Sequence, residues 1–439
     1  MHIHFIGIGG IGVSALAQYY LAKGHQVSGS DLISSEITEA LKKKGVKIFI
    51  GKENPQNLSK KFDLIFYSPA VKIGHRMSNF LSYPEALGEL TKKYFTIAVS
   101  GTHGKSTTTA MIGLLLTRAG LDPTVIVGTK VKQFGGSNCR VGKSKYLVIE
   151  ADEHFASFLN YWPKIIVLTN IEKDHLDYYK NLRNILKTFK AYINHLPKNG
   201  FLIVNKDDKN AYNTFSSIVK NVLSYSLQQK GAERLRRILK VPGEHNVSNA
   251  LAAITTARIL KIPDRISFKA LSEYKGSWRR FEIKKGVING KQITVISDYA
   301  HHPTEIRATL EAAKEKYLYP PKFSKRKLRR ASKKIWCVFQ PHQYQRTYYL
   351  FNDFVKVLRQ AQDKLFVDKI IITDIFDVAG REEREIKKRV GSEKLVEAVN
   401  RKNVIYLPKE KTLDYLKENI SEFEVLIIMG AGDVYKLVS

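Results

Sequence analysis

Lys105 and Ser106 lie in the run Gly101-Thr102-His103-Gly104-Lys105-Ser106-Thr107, the stretch of this chain with the clearest chemical content. A glycine-rich turn between a strand and a helix points backbone N–H groups and a helix N-terminus at one spot, which suits a phosphate. Lys105 adds a positive charge on a long stem, and Ser106 a hydroxyl able to ligate Mg²⁺. The turn departs from the full phosphate-binding pattern, because Val99 stands where its first glycine belongs. Its flanks supply the missing context. Residues 95–99 are β-branched and apolar, as a buried strand requires, and residues 110–119 are apolar at helical spacing. The run reads as a nucleoside triphosphate site.

Two acidic clusters follow, each after an apolar strand-like segment. Residues 146–149 lead into Glu150-Ala151-Asp152-Glu153, and residues 165–169 into Asn170-Ile171-Glu172-Lys173-Asp174-His175. Parallel strands deliver their C-terminal ends to one sheet edge, so Glu150 and His175 are expected near Ser106. Carboxylate and hydroxyl oxygens that hold Mg²⁺ against phosphates are what phosphoryl transfer needs. His175 is the odd member, since Mg²⁺ prefers oxygen, and an imidazole simply satisfied beside Asp174 fits it equally well.

A second glycine turn, Gly7-Ile8-Gly9-Gly10-Ile11-Gly12, follows a short strand at residues 3–6. A helix at 13–23 and a second strand at 25–28 lead on to Asp31. This is the dinucleotide fingerprint, with the acid placed for a ribose as in NAD proteins. The glycines themselves require only that a diphosphate approach a helix N-terminus, and a UDP-linked ligand has one too. A tight turn with no ligand is the remaining reading.

Strand and helix alternate from the first residue, which predicts an α/β fold with mostly parallel sheets. At 439 residues the chain exceeds one ordinary core. A boundary is expected near Tyr94 and another in the polar segment leading to Gly276, giving domains 1–94, 95–276 and 277–439. The composition, 44% apolar and 26% charged, is that of a soluble globular protein. No apolar run reaches bilayer length, the first residues read as a strand rather than as a signal peptide, and the two cysteines lack metal-binding spacing. A cytoplasmic protein is expected. The net charge of +31 suits nucleic acid, an anionic membrane surface or polyanionic substrates. The densest basic run, 322–334, reads as a solvated surface insertion.

Taken together, the turn at Gly101–Ser106, the Glu150-Ala151-Asp152-Glu153 and Asn170-to-His175 clusters and Gly243-Glu244-His245-Asn246 resemble the Mur ligases, in order and approximate spacing. These are the ATP-dependent amino-acid ligases of peptidoglycan synthesis. The start of the chain, Asp298-Tyr299-Ala300-His301-His302-Pro303-Thr304-Glu305, Phe339-Gln340-Pro341-His342 and Gly430-Ala431-Gly432-Asp433 extend the resemblance over essentially the whole chain. It implies a three-domain α/β architecture: a Rossmann-like N-terminal domain, a central P-loop ATPase domain and a Rossmann-like C-terminal domain. The substrates it implies are ATP with Mg²⁺, UDP-N-acetylmuramate and L-alanine, joined through an acyl phosphate. A relative that attaches a recycled tripeptide to the same UDP-sugar is the alternative.

Carried over by position, the resemblance gives Gly9, Gly10, Ile11, Gly12, Asp31 and Ser68 to the UDP-sugar. Gly101, Thr102, His103, Gly104, Lys105, Ser106 and Thr107 would cradle the ATP phosphates, with His245 and Asn246 at the adenine. Arg280 would reach the γ-phosphate and Asp298 the ribose. Ser106 would hold one Mg²⁺ and Glu150 and His175 a second, and Tyr299, His301, His342 and Arg346 would line the muramoyl and amino-acid end. One departure stands out. The family usually reads Pro-His-Arg-aromatic-x-Arg where this chain has Pro341-His342-Gln343-Tyr344-Gln345-Arg346. Gln343 cannot pair bidentately with a carboxylate as arginine can, so Arg346, another Lys or Arg, or a metal would have to substitute. A site rebuilt around Gln343, for example with Arg346 carrying the carboxylate alone, is favoured over a glutamine that is only a weaker version of that contact. An NAD oxidoreductase would leave Lys105, Glu150 and Asn246 without a task. A catalytically silent binding protein is opposed by the presence of Lys105, Ser106, Glu150 and His175.

Overall fold

Strands and helices alternate along the chain as the apolar pattern requires, and among the described residues the strands form three sheets. The computed structural model describes residues 1–52, 58, 61–73, 78–317, 333–364, 367–378 and 383–438. Apart from Lys333 and Lys334, the basic run at 322–334 lies outside the described residues.

The first sheet contains β1 (His2–Ile6), β2 (Gln26–Asp31), β3 (Lys47–Ile50), β4 (Leu64–Tyr67) and β5 (Phe80–Ser82), in the order β3-β2-β1-β4-β5 and parallel throughout. The strand order reverses at β1, the place where such sheets open a crevice for ligand. The Gly7–Gly12 turn leaves the sheet there and feeds helix Ile11–Ala22.

The second sheet contains β6 (Phe95–Ser100), β7 (Thr124–Val131), β8 (Ser137–Arg140), β9 (Tyr146–Glu150), β10 (Ile165–Leu168), β11 (Phe201–Asn205) and β12 (Val222–Tyr225). Its order is β12-β11-β10-β6-β9-β7-β8, and only the β7–β8 hairpin is antiparallel. Ile97, Val99, Val148, Ile149, Ile166 and Val167 are fully buried. Strands covered on both faces have no use for polar alternation, which is why they read as unbroken apolar runs.

The third sheet contains β13 (Glu282–Ile288), β14 (Lys291–Asp298), β15 (Ile335–Phe339), β16 (Lys369–Ile372), β17 (Val404–Tyr406) and β18 (Val425–Met429). Its order is β13-β14-β18-β15-β16-β17, with β13 antiparallel to β14 and the rest parallel. Alternate residues build a core on each face: Ile296, Cys337, Phe339 and Ile427 on one, Val295, Trp336, Val338 and Ile428 on the other.

The chain divides into two compact units. One comprises Met1–Glu172, Leu182–Leu239 and Ser248–Lys275 and holds the first two sheets; the other comprises Lys173–Asn181, Lys240–Val247 and Gly276–Ser439 and holds the third. The short segment Lys173–Asn181, which carries His175, thus belongs to the second unit although it lies between strands of the second sheet in sequence.

Candidate active site

In the first unit, β6 runs on through Ser100, so Val99 is a core residue paired with Glu150 on β9 rather than part of the turn. The turn begins at Gly101, whose φ is +132°; a Cβ there would overlap Thr169 Oγ1 and sit 2.8 Å from the Asn170 carbonyl. Gly104, at φ +82°, precedes helix Lys105–Arg118, and a Cβ there would overlap Asn249 Oδ1. Only glycine meets both demands. The end of β10 holds the turn in place. Thr102 N donates to Asn170 O at 2.9 Å. His103 N donates to Asn170 Oδ1 at 2.8 Å, and Thr169 Oγ1 to His103 O at 2.7 Å. No side chain caps the helix, so its first N–H groups, Thr107 among them, face the cradle that an anion would occupy.

Ser106 Oγ donates to Glu150 Oε1 at 2.9 Å, the approach expected from the converging strand ends. The other carboxylate oxygen accepts from Gly128 N at 2.7 Å. Lys105 Nζ donates to Gly101 O at 2.7 Å and to the two oxygens of Glu153 at 3.0 and 2.8 Å. Burial opposes the charge on Lys105, but Glu153 and then Asp152 outweigh it and hold the amine above its ordinary range. The set fits a Mg²⁺ nucleotide: hydroxyl and carboxylate oxygens of the kind Mg²⁺ takes, a charged lysine, and an uncapped helix N-terminus.

The Gly7–Gly12 turn is tied down by Asp31. Its Oδ2 accepts from Gly9 N and its Oδ1 from Leu32 N, both at 2.8 Å. Asp31 thereby shapes the turn itself. Gly10 N donates to Gly7 O at 3.1 Å, and helix Ile11–Ala22 starts with neither a side-chain cap nor an acidic residue in its first turn. Ser68 closes the neighbouring strand end, its N donating to Ile6 O at 2.9 Å. A Cβ at Gly12 would lie 2.7 Å from the Tyr83 ring, so the helix start packs close.

In the second unit, the His175 N–H donates to Asp174 Oδ1 at 2.7 Å, from a left-handed backbone at φ +49°. The same oxygen accepts from Arg346 Nε at 3.0 Å. Burial alone would raise the Asp174 carboxyl, but Arg346, then His175, His302 and His301 outweigh it and hold it well below the carboxylate range. Arg346 Nη1 donates to Gln343 Oε1 at 3.1 Å and to His342 Nδ1 at 3.2 Å. Gln343 is buried, at φ +70°, so its side chain is committed to this network at some backbone cost. The arginine expected to be available for a carboxylate is thus already paired with one.

Around it, His342 stacks on Phe376 with ring centroids 5.5 Å apart, and burial, then His301 and Arg346, push its imidazole down to about 2. His301 lies 5.7 Å from His342, with Nδ1 3.1 Å from Glu305 Oε2 and 3.0 Å from Tyr299 O. The Tyr299 ring carries the guanidinium groups of Arg279 and Arg280 at 4.9 and 4.8 Å. Asp298 spends one oxygen on Phe281 N at 2.6 Å and the other on Ala300 N at 2.8 Å, so in this structure it organises the Arg279–Phe281 turn. Asn246 Nδ2 donates to Pro242 O at 2.7 Å and meets His245 Nε2 at 3.1 Å. Burial pushes His245 down to about 4.

Sequence reasoning gave no task to Glu153, Asn249 or the Asp174 carboxylate, nor to Arg279, which is buried among Trp278, Tyr299 and Tyr435. Glu153 was visible in its acidic run, yet spacing alone does not say which acid meets Lys105.

Family models match along most of the chain. Residues 2–95 match the Mur ligase family catalytic domain, 99–257 the Mur ligase middle domain, and 279–432 the Mur ligase glutamate ligase domain. The chain is 42% identical to a UDP-N-acetylmuramate–L-alanine ligase of Acetivibrio thermocellus, over 99% of this chain and 94% of that protein. It is 40% identical to a protein of the same name from Clostridium acetobutylicum, over 99% and 96%. Its fold is similar to the crystal structure of a UDP-N-acetylmuramate–alanine ligase from Thermotoga maritima, with a TM-score of 0.75, 28% identity, and coverage of 100% and 97%. A murein peptide ligase from Psychrobacter arcticus shares the fold at a TM-score of 0.69 and 24% identity, over 100% and 97%. With three α/β sheets, a glycine turn braced by Asn170 and matches that together span nearly its whole length, the chain belongs to the Mur ligase family.

Proposed function

We propose that this enzyme joins L-alanine to the carboxylate of UDP-N-acetylmuramate at the expense of ATP, through an acyl phosphate, as a cytoplasmic step of peptidoglycan synthesis. The observation that carries the reading is the Ser106–Glu150 pair beside Lys105 at an uncapped helix N-terminus, in a chain similar over 99% of its length to ligases named for that reaction. Among the described residues, no helix is long and apolar enough to cross a membrane. The division of labour follows domains 1–94, 95–276 and 277–439.

A carboxylate does not react with an amine at neutral pH, so it must first gain a leaving group. In our reading Gly101–Thr107, with Lys105, hold the triphosphate and spread its charge as the γ-phosphoryl passes to the muramoyl carboxylate. Arg280 adds a cation at that phosphate, Asp298 serves the ribose, and His245 and Asn246 frame the adenine. By the family resemblance Ser106, Glu150 and His175 would hold Mg²⁺, which would neutralise phosphate charge. The turn from Gly7 to Gly12 takes the UDP diphosphate, and Asp31, which braces that turn through Gly9 N, and Ser68 complete the UDP-sugar site.

Tyr299, His301, His342 and Arg346 line the end where the amine attacks and phosphate leaves. Burial leaves His342 a poor proton acceptor, whereas His301 is backed by Glu305 at 3.1 Å. The ammonium proton is therefore assigned to His301. Arg346, fixed by Asp174, supplies field and shape rather than a free cation.

The test is ADP release from ATP with UDP-N-acetylmuramate and, in turn, each amino acid or the L-Ala-γ-D-Glu-meso-diaminopimelate tripeptide. L-Alanine should give the highest kcat/KM. A preference for the tripeptide would move the chain to the recycling relative.

A further inference from the structure

The β7–β8 hairpin meets the start of helix Ile11–Ala22 on one side and Glu150, the carboxylate that holds Ser106, on the other. Asn138, on β8, is 5% exposed. Its Nδ2 donates to Ile11 O at 2.5 Å and to Ser14 Oγ at 3.0 Å, and its Oδ1 accepts from Gln18 Nε2 at 2.7 Å. All three partners sit on helix Ile11–Ala22, whose start forms the Gly7–Gly12 turn. Ser137 Oγ reinforces the contact by donating to Gln18 Oε1 at 2.9 Å. On β7, Gly128 N donates to Glu150 Oε2, whose other oxygen holds Ser106.

A buried primary amide is costly unless its polar atoms are satisfied, and an apolar side chain would fill the same space more cheaply. Here both ends of the amide are used, and both on one helix. Ile11 is in the first turn of that helix, one residue past Gly10, and no side chain caps its N-terminus. The hairpin therefore fixes from outside a helix start that does not fix itself.

We propose that Asn138 is a positioning residue for the nucleoside diphosphate of the UDP-sugar, holding the Gly7–Gly12 turn in its binding conformation from a hairpin anchored at Glu150. This rests on the UDP-sugar reading of that turn. Asn138 touches no substrate itself and acts through Ile11, Ser14 and Gln18.

The experiment is calorimetric titration of the full-length chain with UDP-N-acetylmuramate and, separately, with Mg-ADP. Asn138→Asp keeps the side-chain shape but loses the donor to Ile11 O and Ser14 Oγ. It should weaken UDP-N-acetylmuramate about tenfold, as expected for two lost hydrogen bonds, and leave Mg-ADP affinity within about twofold. Gln18→Met removes only the support and introduces no charge. It should weaken the UDP-sugar about threefold with the same selectivity, and it decides the matter if Asn138→Asp does not fold. Unchanged UDP-sugar affinity, or equal loss of both ligands, overturns the proposal. Wild-type protein that binds Mg-ADP but no UDP-sugar overturns the reading of the turn itself, and the proposal with it.

Discussion

Arg346 and Asp174 form a buried ion pair, Nε to Oδ1 at 3.0 Å and Nη2 to Oδ2 at 3.5 Å, with side chains 5% and 10% exposed. The pair joins the helix after Gln343 to the segment that carries His175. Removing one partner strands a buried charge, which costs about 3–5 kcal/mol. Asp174→Ala should therefore lower stability by that order, read as a lower urea midpoint for the C-terminal unit by tryptophan fluorescence. A loss below about 1 kcal/mol would mean that the two charges are not interdependent.

Gln343 completes the same network by accepting from Arg346. An arginine at 343 would replace that acceptor with a second cation beside Arg346. Gln343→Arg should reduce kcat/KM about tenfold or more, although it restores the usual family residue. Arg346→Ala should be the more damaging change. Improved KM for UDP-N-acetylmuramate or L-alanine in Gln343→Arg would show that the glutamine is only a weaker arginine.

The acid side of the stability profile belongs partly to His245. Its folded pKa, pushed down to about 4 by burial, lies below the unfolded value of about 6.5. On acidification the unfolded chain binds the proton first, so this group's contribution is intact above about pH 6.5 and is lost progressively down to about pH 4. Asp174, held well below the carboxylate range, loses its own contribution only at lower pH. The drop in urea midpoint between pH 7 and pH 5 should be smaller in His245→Asn than in wild type. An equal drop would contradict the assignment.

Gly104 tests the phosphate turn. Alanine there combines left-handed strain with overlap on Asn249 Oδ1. Gly104→Ala should abolish measurable ATP turnover while UDP-N-acetylmuramate still binds. Adding Asn249→Ala relieves the overlap but not the strain, so activity should return only in part. Full activity in Gly104→Ala would show that the turn does not cradle phosphate.

The sheets were legible because their inner strands are covered on both faces. Residues 146–149 and 165–169 read as strands, and β9 and β10 end within one residue of those limits. The convergence of Ser106 and Glu150 followed from parallel pairing alone. The start of the P-loop helix was less legible. Ser106, Thr107, Thr108 and Thr109 are weak helix formers, so periodicity pointed to residue 110, whereas the helix begins at Lys105. Those four are buried, and Thr108 bonds Asn249 far away in sequence, so tertiary contacts override propensity. Asn138, Asn249 and Asp174 stayed silent for a related reason. Their partners lie over a hundred residues away in sequence, at separations of 127, 141 and 172. No local pattern encodes such a contact.

In the proposed reaction the muramoyl carboxylate is activated by phosphoryl transfer before the amine attacks. Muramoyl carboxylate doubly labelled with ¹⁸O, turned over with ATP and L-alanine, tests it directly. Attack on an acyl phosphate expels the phosphate with one carboxylate oxygen attached, so mass spectrometry of the released phosphate should find one ¹⁸O per turnover. Unlabelled phosphate would contradict it.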